Sequence, residues 1–536
     1  MAVRNAGAFA MALVAALSAC ARSGTGRGWG TPHQMTIART NDPPSLNPLF
    51  ELQQADIDLA QLYAEPLVGL SPQNKPVPVV ASRVPTTANG DISRDGRRVT
   101  YHLRLEERFA DGVPLTSNDV AFTYRAILDP RNPVGEAQPY RIIERFETPD
   151  AHTVVLHLRR PWAAAVSCLF AETDFIYGIL PAHAFSSTDV RHAVWNDHPF
   201  GSGPFRVVRW RRGDEIVLEP NLYARRKPHL NRLVFKLVPD RNTERLLLLT
   251  HSVDVVDYLT DAQVVQTRSL PGLALVRTEK NLVPYVAIQT RRPPTDDPRV
   301  RRALLDAIDT DGIARKVAFG LWPRASTEIA PVLWAHDPSI APPLYDPQRA
   351  AAELDAAGWK VQDGHRVRNG NTLEVKMAYY GWSDESRSGA TLIQAELARI
   401  GVDVALRAYP SNVYFGLPDG VYYGGRFNLA WGGFYGGSDP EQSEYFTCDR
   451  LAPNGPNVPR WCDRNYDKLF GEQSRTLDRA RRQALFDAIQ RTVNDAVLFV
   501  PLFYQGIYSA INPAVRGWNP NMLFEFSNSE AWDVRP

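Results

Sequence analysis

The chain has 536 residues, too many for one compact core, so two or three domains are expected. Lys+Arg 60 against Asp+Glu 59 leaves almost no net charge, which argues against nucleic acid or another polyanion as the main partner. Hydrophobic residues make up 44%, ordinary for a globular protein, and no long stretch has a disordered composition.

The N-terminus carries one cation, Arg4, and then "AFAMALVAALSA". This apolar run is shorter than the roughly 20 residues a membrane-spanning helix needs and has the length of a signal h-region. It ends in "LSAC", Leu17 to Cys20, which resembles a bacterial lipobox. That resemblance implies a signal peptide over 1–19 and a lipidated Cys20 as the mature N-terminus. An ordinary secretory signal with a chance cysteine is the alternative. The Gly/Ser-rich "ARSGTGRGWG" that follows has no core pattern. Residues 20–33 are expected to be a lipid-anchored tether, its ten Gly/Ser-rich residues reaching roughly 18 Å. Its alternating glycines follow no strand and open no helix, so they are not a dinucleotide fingerprint.

Alternation marks strands in "VTYHLRL", "TVVLHLRRP", "RLVFKLVPD" and "LEVKMAYY". "GPFRVVRWRRGDEIVLEPN" predicts two strands joined at Arg212-Gly213-Asp214. A helix is predicted from near Ser117 to before Pro130. "DDPRVRRALLDAID" predicts another, with Asp297 as N-cap, Pro298 at N1 and a stripe of Val300, Ala303, Leu304, Ala307 and Ile308. Asp346-Pro347 repeats that device and Gly358 stops it. "SGATLIQAELARIG" predicts a helix that stops at Gly401, and "LDRARRQALFDAIQRTVNDA" a long amphipathic one. Strands and helices are interspersed throughout, which predicts an α/β fold with mixed sheets.

Besides Cys20 the chain has Cys168, Cys448 and Cys462. In an oxidising compartment Cys448 and Cys462 are expected to form a disulfide across a Pro/Asn/Gly-rich loop. No CxxC or nearby histidine pair completes a zinc site, so no metal is expected. Cys168, in "AAAVSCLF", is expected to be a buried free thiol. Catalytic motifs are absent: "GGSDP" is not GxSxG, and there is no HExxH and no GxxxxGK[ST]. An exported hydrolase using two cleft carboxylates stays open as the alternative class, because such a pair needs only spatial closeness.

Six blocks in order carry a family resemblance. They are "DGRRVTYHLRLEERFADGVPLTSNDVAFTYRAI", "GSGPFRVVRWRRGDEIVLEPNLYARRKPHLNRLVFKLVPD" with Gly201, Gly203, Pro204 and Asn221, "VDVVDYL", "PPTDDPRVRRALLDAIDTDGIARKVAFG", "YDPQRAAAELDAAGW" and "LARIGVDVAL". Together they resemble the extracellular solute-binding proteins of ABC transporters, family 5, the peptide/nickel-binding group. The resemblance implies an α/β, two-lobed, periplasmic-binding-protein-like fold of type II, in its large three-subdomain form, with hinge crossings. It places lobe I at 34–75, 196–282 and 504–536, an inserted subdomain at 76–195, and lobe II at 283–503. It implies capture of a small-molecule ligand, a peptide foremost, and delivery to ABC permease subunits. The expected protein is no enzyme, needs no cofactor, is a monomer, and meets the membrane only through its lipid anchor.

The stretch "WGGFYGGSDPEQSEYFTC", 431–448, concentrates the candidate ligand residues. No lysine follows its glycines, so it is not a phosphate loop. Peptide-binding members of the family resembled usually carry Trp, two residues, then an Asp that pairs with the ligand's ammonium. Here Trp431 is followed by Gly432 and Gly433, and Phe434 stands where the acid is expected. Trp431, Phe434 and Tyr435 either line the cleft or pack in the core. Asp439 is either a helix N-cap, with Pro440 at N1 and Gln442 at N3, or a ligand contact. Trp382, in the aromatic loop "YYGWSDES", is a further pocket candidate.

Overall fold

The computed structural model describes residues 29–50, 54–135, 137–173, 178–416, 420–441, 443–451, 455 and 457–535. The signal segment, Cys20 and most of the tether lie outside the described residues, as does Gln442. Among the described residues no helix is long and apolar enough to cross a membrane.

The main sheet has eleven strands and serves both lobes. In the first lobe, Gln34–Arg39 runs parallel to Arg232–Leu237 on one side and to Val255–Val256 on the other. Glu215–Pro220 and Phe205–Arg211 extend that edge antiparallel. They form the hairpin expected at Arg212-Gly213-Asp214, with Gly213 at φ +70° in the left-handed region that glycine enters without penalty. In the second lobe, Glu374–Tyr380 runs parallel to Asp403–Tyr409 and to Leu429–Tyr435.

Two chain segments join these halves. Strand Ala274–Ile288 pairs first with Gln505–Ile511, as far as Glu279↔Gly506. Its register shifts between Glu279 and Leu282. It then pairs with Leu429–Tyr435, from Leu282↔Tyr435 to Ile288↔Leu429, and with Phe499–Pro501. The halves of the sheet are therefore joined where strand Ala274–Ile288 exchanges one partner strand for the next, and crossing strands of this kind are where a hinge can lie.

A separate sheet of Arg98–His102, Thr153–Leu158 and Ile143–Asp150 lies with helix Ser117–Leu128 over its own core, which includes Tyr101, Phe109, Val120, Leu156 and Phe170. A capping box at Thr116 and Asp119 starts that helix. Gly201 and Gly203 lie against the backbone of Tyr63, where a Cβ on Gly201 would come 2.0 Å from the Tyr63 carbonyl oxygen. Asn221, fully buried, donates from Nδ2 to the Gly203 carbonyl at 2.9 Å. The residues of that sequence block thus hold a tight backbone crossing.

Asp297 and Asp346 cap helices Pro298–Ala307 and Pro347–Ala356 with proline in the first turn, as the sequence predicts. Asp478 caps the long helix Arg479–Ala496. Helix Asp384–Ala398 begins earlier than expected, because the Ser383 hydroxyl accepts from Ser386 N–H and starts it within "GWSDES". Cys448 and Cys462 form a disulfide. Cys168 is half-buried rather than buried.

Candidate functional site

The parity of strand Leu429–Tyr435 decides which candidate side chains face the cleft. Side chains alternate across a strand, and directly paired residues share a face. Leu429 and Trp431 lie with Ile288 and Val286 in one core, while Ala430 and Phe434 lie with Ala287, Tyr285 and Val283 in the other. Phe434 is 1% exposed, its ring 4.2 Å from that of Tyr285 and 4.9 Å from that of Phe499. It points away from the face that carries Gly433 and Tyr435.

On that other face the strand opens progressively. Trp431 is fully buried under helix Asp384–Ala398, where a Cβ on Gly389 would meet its ring at 2.1 Å. Gly433 is half-buried, and Tyr435 is 44% exposed. Leu282 and Gln505, both half-buried, share the Tyr435 end of this face through the pairings Leu282↔Tyr435 and Leu282↔Gln505. Gly433 keeps the floor low here, so a ligand could approach the backbone closely. Trp382 is exposed and stacks on Tyr380 at 4.7 Å. Beside it a cavity of about 500 Å³ is lined by Gly381, Trp382, Ala408, Tyr409, Pro410 and Ser411.

Helix Asp384–Ala398 also carries an acid that sequence reasoning missed. Glu385 lies in the first turn of helix Asp384–Ala398, and its Oε2 accepts from Gln505 Nε2 at 3.2 Å. Burial pushes its carboxyl up to about 7, against the hydrogen bond from Gln505, and the charge of Asp261 adds to the rise. Asp261 opens helix Asp261–Arg268. Its two oxygens accept from Trp322 Nε1 at 3.0 and 3.1 Å, and burial raises it to about 6. The Trp322 ring lies against Gly506, the neighbour of Gln505. The two acids are therefore linked by an unbroken run of contacts across the hinge strands.

Next to Asp261 stands Tyr258, a bulky residue at φ +52°. Such a conformation is strained for a residue with a side chain and persists only when its surroundings fix it. The Tyr258 hydroxyl donates to Asp58 Oδ2 at 2.7 Å. Burial raises its pKa well above the ordinary value, with Asp58, Glu525 and Tyr435 adding to the rise. Behind it, buried Arg39 lies 3.7 Å from Asp58 and 3.9 Å from Asp257, and Lys280 lies 3.0 Å from Glu525. Desolvation carries Asp58 up to about 7 despite Arg39.

Asp439 departs from its expected capping role. The next helix, Ser443–Phe446, starts too late for Asp439 to be its N-cap. Its two oxygens instead accept from Arg482 Nη1 and Nη2, both at 2.6 Å, with each side chain 6% exposed. Arg482 is carried by the long helix Arg479–Ala496, and a buried guanidinium needs such a bidentate partner. Among the described residues, no group of three His, Cys, Asp or Glu side chains could hold a metal ion.

Two lobes joined by crossing strands, with an open strand face and buried polar groups where they meet, define a solute-binding protein of the periplasmic type. The chain matches the model for bacterial extracellular solute-binding proteins, family 5, over residues 75–452, and it belongs to that family. It is 24% identical over 447 residues to a dipeptide-binding protein of Escherichia coli, covering 80% of this chain and 82% of that one. It is 25% identical over 486 residues to a nickel-binding periplasmic protein of the same organism, covering 88% and 89%. Among solved structures, NikA from Brucella suis with Fe(III)-EDTA superposes with a TM-score of 0.82 at 20% identity, covering 94% of this chain and all of that one. AgaA of A. tumefacien R10 with agropinic acid gives 0.74 at 23%, covering 94% and 99%.

Proposed function

We propose that the chain is the extracytoplasmic receptor of an ABC importer, which encloses a small polar solute between its lobes and hands it to permease subunits. The observation that supports this most is the pair of crossing segments, 274–288 and 499–511, beneath a strand face that opens at Gly433 and Tyr435. In this reading one lobe comprises 34–75, 196–282 and 504–536, with 76–195 inserted, and the other comprises 283–503. Peptides are the leading ligand class, since several relatives are named for di- and tripeptides. Tyr435 and Trp382 are proposed as ligand-facing groups. Trp431 and Phe434 shape the cleft from the core, and Asp439 braces its wall through Arg482.

The protein works as a monomer and holds its ligand without chemistry, by enclosed apolar surface and a few placed polar groups. Closure adds affinity only through contacts made in the closed state. One such contact is available between the inserted subdomain and lobe II. Ala163 N–H donates to the Ser474 carbonyl at 2.7 Å, and Leu477 lies against Gly96, where a Cβ would be 3.1 Å from it. Cys20 carries the lipid that holds the receptor at the membrane. Incubation with peptide and glycan pools tests the reading: stoichiometric binding without product is expected, and steady product release would replace the receptor by a hydrolase. Mass analysis of membrane-extracted protein should find an acylglyceryl Cys20; an intact Met1 would remove the anchor.

A further inference from the structure

A cavity of about 400 Å³ opens where the body of the three-stranded sheet meets the segment 441–475. Arg160 lines it from one side, just past strand Thr153–Leu158, whose buried residues belong to a core of their own. Arg450, Arg464 and Arg475 line it from the other side, along helix Arg464–Gln473, whose Tyr466 and Phe470 pack in a different core. The hydrogen bond from Ala163 N–H to the Ser474 carbonyl lies on the same seam, between Arg160 and Arg475. The Cys448–Cys462 disulfide ties the turn that carries Arg450 to the start of the helix at Arg464. Asp467 Oδ1 accepts from the Cys448 N–H at 3.0 Å, which holds that turn on the helix.

The charges around this cavity do not cancel in pairs. Asp467 takes Arg464 at 3.3 Å, and Glu441 accepts from Gln473 Nε2 at 3.2 Å. Asp449, the remaining acid of the wall, is exposed. Among the described residues, no hydrogen bond or ion pair engages the guanidinium of Arg160, Arg450 or Arg475. Other arginines that join distant segments are engaged: Arg226 by Glu65 and Glu530, and Arg482 by Asp439. Three cations on one wall repel one another, and each offers a planar fork of donors that matches two oxygens of an oxyanion. A neutral or cationic molecule would leave that repulsion in place.

We propose that this cavity is an oxyanion site, which takes a carboxylate or phosphate group between Arg160 on one side and Arg450 and Arg475 on the other. An anion held there bridges two bodies with separate cores and favours the arrangement in which they touch. None of the residues lining it belongs to the strand face at Gly433 and Tyr435, so the site does not depend on the receptor reading.

The test titrates inorganic phosphate and, separately, citrate onto the full-length chain by calorimetry, at fixed ionic strength with chloride as the balancing anion. Wild type is expected to bind at least one of them, one per chain, with a Kd below about 1 mM. Phosphate binding more tightly identifies a tetrahedral anion as the better fit, and citrate a carboxylate. Arg160→Gln, Arg450→Gln and Arg475→Gln are each expected to weaken binding about tenfold or more, the loss of one charge-assisted partner. Arg209→Gln removes the same charge from the exposed edge strand Phe205–Arg211, outside the cavity, and should bind as wild type does. Circular dichroism checks each fold. Binding of neither anion, wild-type affinity in any of the three cavity variants, or an equal loss in Arg209→Gln overturns the proposal. Wild-type affinity in Arg160→Gln would also remove the bridge between the two bodies.

Discussion

Asp439→Asn is expected to be among the most destabilising single-atom exchanges in the second lobe. The wild-type carboxylate accepts two hydrogen bonds of 2.6 Å from Arg482, with both side chains 6% exposed. The amide keeps one acceptor and turns a donor toward the other guanidinium nitrogen. It leaves a buried positive charge, held by Gln473 at 3.0 Å and by the ring faces of Trp334 and Phe486 at 5.3 and 5.4 Å. Water cannot reach the site to replace the lost partner. Removing one member of a buried ion pair costs about 3–5 kcal/mol, and that range applies here. Replacing both, as Asp439→Leu with Arg482→Met, should recover most of it, because the desolvation cost of both charges disappears. Urea unfolding of the single and double variants, followed by near-UV circular dichroism, gives both numbers. A loss below about 1 kcal/mol for Asp439→Asn would mean a solvated carboxylate, and would return Asp439 to the ligand. In the folded fraction, ligand affinity should match wild type.

Three further outcomes follow from the geometry. Replacing Cys448 and Cys462 together by serine should cost about 3 kcal/mol, from a closed loop with a sequence separation of 14, and calorimetry would show it as a lower Tm. Phe434→Asp should not create an ammonium clamp. It puts a carboxylate among Tyr285, Phe499 and Phe446 and should cost at least about 3 kcal/mol, while affinity for free-ammonium peptides, measured by calorimetric titration, stays unimproved. Glu385 is raised in the folded state from 4.5 to about 7, so the folded chain binds the proton more tightly than the unfolded chain. The stability it contributes is therefore present at low pH and lost as pH climbs between those values. Glu385→Gln should match wild type in Tm at about pH 4 and exceed it at about pH 8, by about 1–3 kcal/mol of stability.

Local chemistry was legible where one residue decides a local event. Asp-Pro pairs announced the helices at 298 and 347, Gly213 the hairpin, and the cysteine spacing a disulfide. Partners distant in sequence were not legible. Asp439 precedes a proline and resembles a cap, and nothing near it signals that Arg482, 43 residues on, needs both of its oxygens. Phe434 stands in a stretch of glycines and aromatics with no alternating pattern, so its face became clear only from the pairing with Val283. Glu385 was missed although a signal was present, since Ser383 followed by Asp384 and Glu385 is a helix start. Its surroundings were not legible, because Gln505, its hydrogen-bond partner, lies 120 residues on.

The central claim is that this chain captures a solute between two lobes. Native mass spectrometry of the full-length protein, purified without denaturant and then again after denaturation, tests it most directly. One small molecule per chain, present in the native spectrum and lost on denaturation, is predicted. Bare protein mass in both spectra, with product accumulating from added peptide or glycan, would contradict it.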